Sequence, residues 1–116
     1  MRDALYKKAI STDEDGISYV FYALPEDIDP CEYDKGYAIE AKRQELYAKL
    51  NNGEEVWFCA AVTASKAGVV LGTDYLGCCH CKSYEDFVTT EADGYLNDMI
   101  RDAGTEAREK ITALSA

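Results

Sequence analysis

The chain's only histidine stands inside a run of thiols, Gly77-Cys78-Cys79-His80-Cys81, and thiolate with imidazole is the ligand chemistry of zinc. Structural zinc sites present ligands in pairs separated by a turn, whereas these four are consecutive. On a strand Cys78 and His80 would share one face and Cys79 and Cys81 the other, so at most two could reach one ion, with Cys59 as a third candidate. A cysteine nucleophile with His80 as its base meets the same obstacle, because side chains two apart on a strand face stand roughly 6 to 7 Å apart. Asp13-Glu14-Asp15-Gly16 resembles a calcium loop only superficially. Aligning Gly16 with the loop glycine puts Ser11 at the first ligand position and Tyr22 where the bidentate glutamate belongs. No phosphate-cradling loop or dinucleotide fingerprint occurs. The expectation is therefore a non-enzymatic chain with no catalytic residues, metal or cofactor. The alternatives are a small metal- or thiol-dependent protein centred on Cys78 to Cys81, or a soluble domain whose acidic surface is merely solvated.

The carboxylates are more informative. Among 116 residues, 22 are acidic and 12 basic, a formal net charge of −10. From Pro25 to Gly36 five acids, Glu26, Asp27, Asp29, Glu32 and Asp34, stand against Lys35, a balance of −4. From Tyr84 to Ala116 eight acids stand against Arg101, Arg108 and Lys110, a balance of −5. On a helical wheel Glu91, Asp98, Asp102 and Glu109 fall within about 40° of one another, with Arg101 and Arg108 well away. That row is about 27 Å long, a length over which duplex DNA carries roughly 16 phosphates. Four carboxylates cannot match that density, so any mimicry must recruit the acidic loop or a second subunit. Such charge disfavours direct binding to nucleic acid or an anionic membrane and favours a basic protein surface. Glu26, Asp27, Asp29, Glu32, Asp34, Glu91, Asp98, Asp102 and Glu109 are accordingly the candidate partner-binding residues. Tyr33, Tyr37, Tyr47, Tyr75, Tyr84 and Tyr95 flank these regions and could supply contact area.

The elements that must position these groups are legible from periodicity. The length suits one domain, residues 1–116, with enough apolar residues for a core. Ile17 to Leu24 is dense in β-branched and aromatic residues and predicts a strand, paired as a hairpin with Ala4 to Ile10, although that first segment also fits a short helix. Two prolines predict an irregular loop from Pro25 to Gly36. A helix is predicted from Tyr37 to Asn51, stopped by Asn52-Gly53. Glu55 to Thr63 reads as a central strand, Ser65 to Gly68 as a turn, and the next strand as one bent or bulged near Gly72 and Gly77. Ser83 is a helix N-cap. Beyond it Val88, Ala92, Leu96, Met99, Ala103, Ala107, Ile111 and Leu114 form one apolar stripe along a long helix, with Gly94 and Gly104 as weak points that allow a break near Thr105 without forbidding continuity. The order β-β-α-β-β-α predicts an α+β fold, an antiparallel sheet of about four strands with two principal helices packed on one face.

Met1 to Ile10 carries Arg2, Asp3, Lys7 and Lys8 where a secretory signal would be apolar, and the longest apolar run, Val56 to Val62, falls far short of a membrane span. Three of the five cysteines crowd into Cys78 to Cys81, which predicts reduced thiols of a cytoplasmic protein.

Taken whole, the chain resembles the small, acidic, tyrosine-rich proteins encoded by phages and mobile elements, among them anti-CRISPR and antirestriction inhibitors. The segments carrying the resemblance are Pro25-Glu26-Asp27-Ile28-Asp29-Pro30, Trp57-Phe58-Cys59, and Asp74-Tyr75-Leu76-Gly77 leading into Ser83-Tyr84-Glu85-Asp86-Phe87. The resemblance implies an inhibitor acting in a host cytoplasm on a basic, nucleic-acid-handling defence protein. It assigns no role to individual residues.

Overall fold

The computed structural model describes residues 3–33, 40–89 and 94–115. Strands β1 (Tyr6–Thr12), β2 (Ser18–Leu24), β3 (Val56–Lys66) and β4 (Val69–Cys81) form one antiparallel sheet in the order β1-β2-β3-β4. Helices α1 (Pro30–Tyr33) and α2 (Glu40–Asn52) lie between β2 and β3, and α3 (Tyr84–Thr89) and α4 (Tyr95–Ser115) follow β4. The fold is α+β, and the first segment is a strand.

Alternation decides which side chains enter the core. Tyr19, Phe21 and Ala23 of β2 share a face with Phe58, Ala60, Val62 and Ala64 of β3 and Cys79 of β4. Phe87 of α3 and Leu96, Met99, Ala103 and Ala107 of α4 cover them. At the centre Phe87 stacks on Phe21 with ring centroids 5.3 Å apart and meets Phe58 edge-on at 5.5 Å, arrangements that favour aromatic pairs beyond their buried area. On the opposite face, small Ala61 is buried between its cross-strand neighbours Tyr22 and Tyr75.

The β3–β4 hairpin turns through Ala67 and Gly68, both at positive φ, 54° and 80°, as a tight two-residue loop between twisted strands requires. β4 then runs unbroken for thirteen residues. The expected irregularities appear as register shifts opposite Phe58/Ala60 and Ala64/Ser65. At Gly72 the strand is pressed against α4, and a Cβ there would lie under 3.0 Å from the Ala103 backbone.

The last region is described as two helices where the apolar spacing predicts one. The described residues give α3 up to Thr89 and α4 from Tyr95, and α4 passes through Gly104 and Thr105 without interruption. A Cβ at Gly104 would press on the Tyr19 hydroxyl, so the glycine admits a neighbour instead of ending the helix. Leu114 does not join the buried stripe: it is 78% exposed in the last turn of α4. Ser83 does cap α3, its Oγ accepting from the Asp86 N–H at 3.0 Å. Ala92 lies outside the described residues. Within the predicted Pro25 to Gly36 loop, residues Pro30–Tyr33 form one turn of helix, which proline permits because it can open a helix.

Arg108 ties α4 to the β1–β2 turn through Asp13 at 2.6 Å and Asp15 at 3.1 Å. Asp13 also accepts the N–H groups of Asp15 and Ile17 and the Tyr19 hydroxyl, each at 3.0 Å. Partial burial pushes the Asp13 carboxyl up, but the Ile17 N–H, Arg108 and Tyr19 together hold it below its ordinary value. Its ionised form therefore stabilises the fold above the ordinary carboxyl pKa of 3.8, and that contribution is lost as pH falls through the depressed value. Asp13→Asn should lower the melting temperature at pH 7, with the gap to the parent closing towards pH 2. Parallel pH series of thermal melts check this, and a gap that does not depend on pH refutes it.

Candidate functional site

The thiol cluster resolves into structure. Cys79 and Cys81 face the core, and burial pushes the Cys79 thiol up to about 12. His80 faces the other way, its Nε2 2.8 Å from Glu55 Oε1. Cys78 sits in the β4 bulge at φ 57°, and its N–H donates to Glu26 Oε1 at 2.5 Å. Cys59 lies beside this bulge, and desolvation together with the Glu26 charge raises both the Cys59 and the Cys78 thiols. A raised thiol is a poor nucleophile. The four described cysteine side chains, Cys59, Cys78, Cys79 and Cys81, are free thiols, and among the described residues no group of three or more histidine, cysteine or acidic side chains is arranged to hold a metal ion.

The candidate acids divide by environment. Glu26 and Asp29 act as internal fasteners: Glu26 holds the bulge, and Asp29 accepts the Tyr47 hydroxyl at 2.7 and 2.8 Å. Ile28 lies between them, and its carbonyl accepts the Trp57 indole N–H at 2.8 Å. The Glu26 carboxyl is held below its ordinary value, chiefly by the Cys78 N–H. Asp27 and Glu32 are exposed. Asp34 and Glu91 lie outside the described residues, as does Tyr37. On α4, Asp98, Asp102 and Glu109 are exposed, but Arg101 does not stand apart from them. It bridges Asp98 at 3.1 Å and Asp102 at 3.4 Å, because residues three apart on a helix are surface neighbours and a guanidinium reaches further than its Cα direction suggests. The acidic row therefore carries a cation within it.

A carboxylate absent from that candidate set completes a different cluster. Asp74 of β4 pairs with Val62 of β3 and so shares the helix-covered face. Burial raises its pKa, and Asp102 and Glu106 of α4 raise it further. Asp102 and Glu106 have cations of their own, Arg101 and Lys110. Asp74 has no ion-pair partner among the described residues. The sequence held one signal for it: Asp74 is the lone charge in an apolar strand, at the parity of Leu76 and the core.

A folded-state carboxyl pKa above the ordinary 3.8 means that ionisation works against folding. The cost is full at pH 7 and vanishes once pH falls below the ordinary value. Asp74→Asn keeps an oxygen for the Tyr75 N–H and should raise the melting temperature at pH 7 while matching the parent at pH 3. If the variant gains nothing at pH 7, the three carboxylates are not electrostatically opposed.

No protein-family model matches this chain, and comparison with curated proteins and with solved structures returns no match. No helix of the described residues is long and apolar enough to cross a membrane.

Proposed function

We propose that this chain is a non-enzymatic, acidic binding protein that occupies a basic, nucleic-acid-binding surface of another macromolecule, an inhibitor of a host defence protein in the manner of anti-CRISPR and antirestriction proteins. The observation that carries the reading is the gathering of Asp74, Asp102 and Glu106, with Asp98 one turn away, on a chain of net charge −10. Like charges brought together oppose folding, and sites that keep such an arrangement are commonly the ones a ligand uses. An arriving lysine or arginine would relieve the repulsion, so part of the electrostatic cost of the free protein returns on binding. The exposed carboxylates Asp27, Glu32 and Glu109 would extend the field that steers a basic partner and make association sensitive to salt.

The test is capture from lysate on the immobilised chain at low and high salt, repeated with Asp98 and Asp102 reversed to lysine and, separately, the exposed Asp27 and Glu32. A basic, nucleic-acid-binding protein should be retained at low salt, released by salt, lost on reversal, and displaced by duplex DNA. Retention of nothing, or of a partner indifferent to both reversals and to DNA, overturns the reading.

A further inference from the structure

The two outer strands of the sheet differ in how they meet solvent. β1 has seven residues, carries Lys7 and Lys8, and breaks register between Ala9 and Ser11, the devices by which proteins discourage strand pairing at an edge. β4 has thirteen residues, and from Val69 to Leu76 its only charge is Asp74. Val69, Val70 and Tyr75 are each more than half exposed, and among the described residues no strand pairs with the outer side of β4. Alternation gives this edge two flanks. Asp74 stands on the helix side with Asp102 and Glu106, and Val70 and Tyr75 stand on the other.

We infer that the outer edge of β4 accepts an extended, basic segment of a partner protein as a fifth strand. Its backbone pairs with Val69–Leu76, every second side chain is a lysine or arginine directed at Asp74, Asp102 and Glu106, and the intervening apolar side chains rest on Val70 and Tyr75. Strand addition draws affinity from main-chain hydrogen bonds and specificity from alternate side chains, and a period of two is what the two flanks of β4 demand. Charge decides the occupant. A second copy would bring two sets of the same carboxylates together across the new pair, and like charges facing each other across strands are destabilising, whereas a basic strand neutralises them. This inference rests on the reading of the chain as a binder of basic partners and adds the geometry of contact.

The test is fluorescence anisotropy at low salt with a labelled, end-capped octapeptide in which lysine alternates with valine and threonine. The comparator is the same peptide N-methylated on its four central backbone nitrogens, which keeps the charge but cannot form a ladder. The parent protein should bind the unmethylated peptide at least tenfold more tightly than the methylated one. Asp74→Asn with Glu106→Gln should weaken binding at least tenfold while melting no lower than the parent, and amide chemical-shift changes should centre on Val69–Leu76. Equal affinity for both peptides overturns strand addition yet leaves the acidic-binder reading standing, since charge alone would then suffice. Binding of neither peptide overturns it as well, and the lysate experiment with Asp27 and Glu32, which lie outside this edge, judges the broader reading separately. A concentration-dependent dimer dissociated by Val70→Lys would assign the edge to a second copy and overturn it too.

Discussion

Gly72→Ala should lower the melting temperature by about 10 to 15 °C. The added methyl would meet the Ala103 carbonyl carbon and oxygen and the Ala107 nitrogen, all backbone atoms of α4, and no rotamer change can clear them. Either α4 lifts from β4, opening gaps over Ala64 and Leu71, or β4 bends away and weakens its ladder with β3. Overpacking of this kind costs about 3 kcal/mol or somewhat more, and for a chain of this size each kcal/mol is roughly 3 to 5 °C. Thermal and denaturant melts of the variant measure the loss, with an unchanged denaturant slope showing that the native state is otherwise retained. A variant melting within 2 °C of the parent would mean that α4 does not sit where the close contact places it.

Leu96→Asp should be larger still. Leu96 is 2% exposed in the cluster that joins α4 to the sheet, so the change removes a buried aliphatic side chain and substitutes a charge with no cation beside it. Lost burial and an uncompensated buried charge together cost about 5 kcal/mol, comparable with the whole stability of many small domains. The variant should be largely unfolded at 25 °C by near-ultraviolet circular dichroism. Leu114→Asp, on the same apparent stripe but at the exposed end of α4, should change stability by no more than about 0.5 kcal/mol. A Leu96→Asp protein that melts like the parent, or a Leu114→Asp protein that unfolds with it, would contradict the burial of Leu96 and the exposure of Leu114.

That pair of leucines marks where sequence reasoning stops. The three-to-four spacing from Leu96 to Leu114 is visible in the chain and coincides with the helix α4. It cannot tell how far the sheet beneath extends, because the length of helix that gets covered depends on strand lengths set elsewhere. The same limit explains Arg101. A helical wheel records Cα directions and placed it away from the acidic row, whereas its guanidinium folds back between Asp98 and Asp102. Glu26 and Asp29 had the composition of an exposed acidic patch, and the fold uses them as acceptors for the Cys78 N–H and the Tyr47 hydroxyl. Those partners lie 52 and 18 residues away in sequence, beyond any local pattern.

By itself the sequence determined the local elements: period-two alternation marks the strands, three-to-four spacing marks the long helical region, Ser83 starts a helix, and the excess of carboxylates is present whatever the fold. These properties depend on residues within a few positions of one another, where backbone geometry fixes side-chain direction. Tertiary structure alone decided which elements touch. It made Gly72 a point of close approach where local reading suggested a bend, and it carried α4 through Gly104, whose missing side chain admits the Tyr19 hydroxyl. It also brought Asp74 to Asp102 and Glu106, which are 28 and 32 residues further along the chain. Packing α4 onto β3 and β4 buries the apolar stripe over the sheet, and that gain places like charges together at the strand edge against their mutual repulsion.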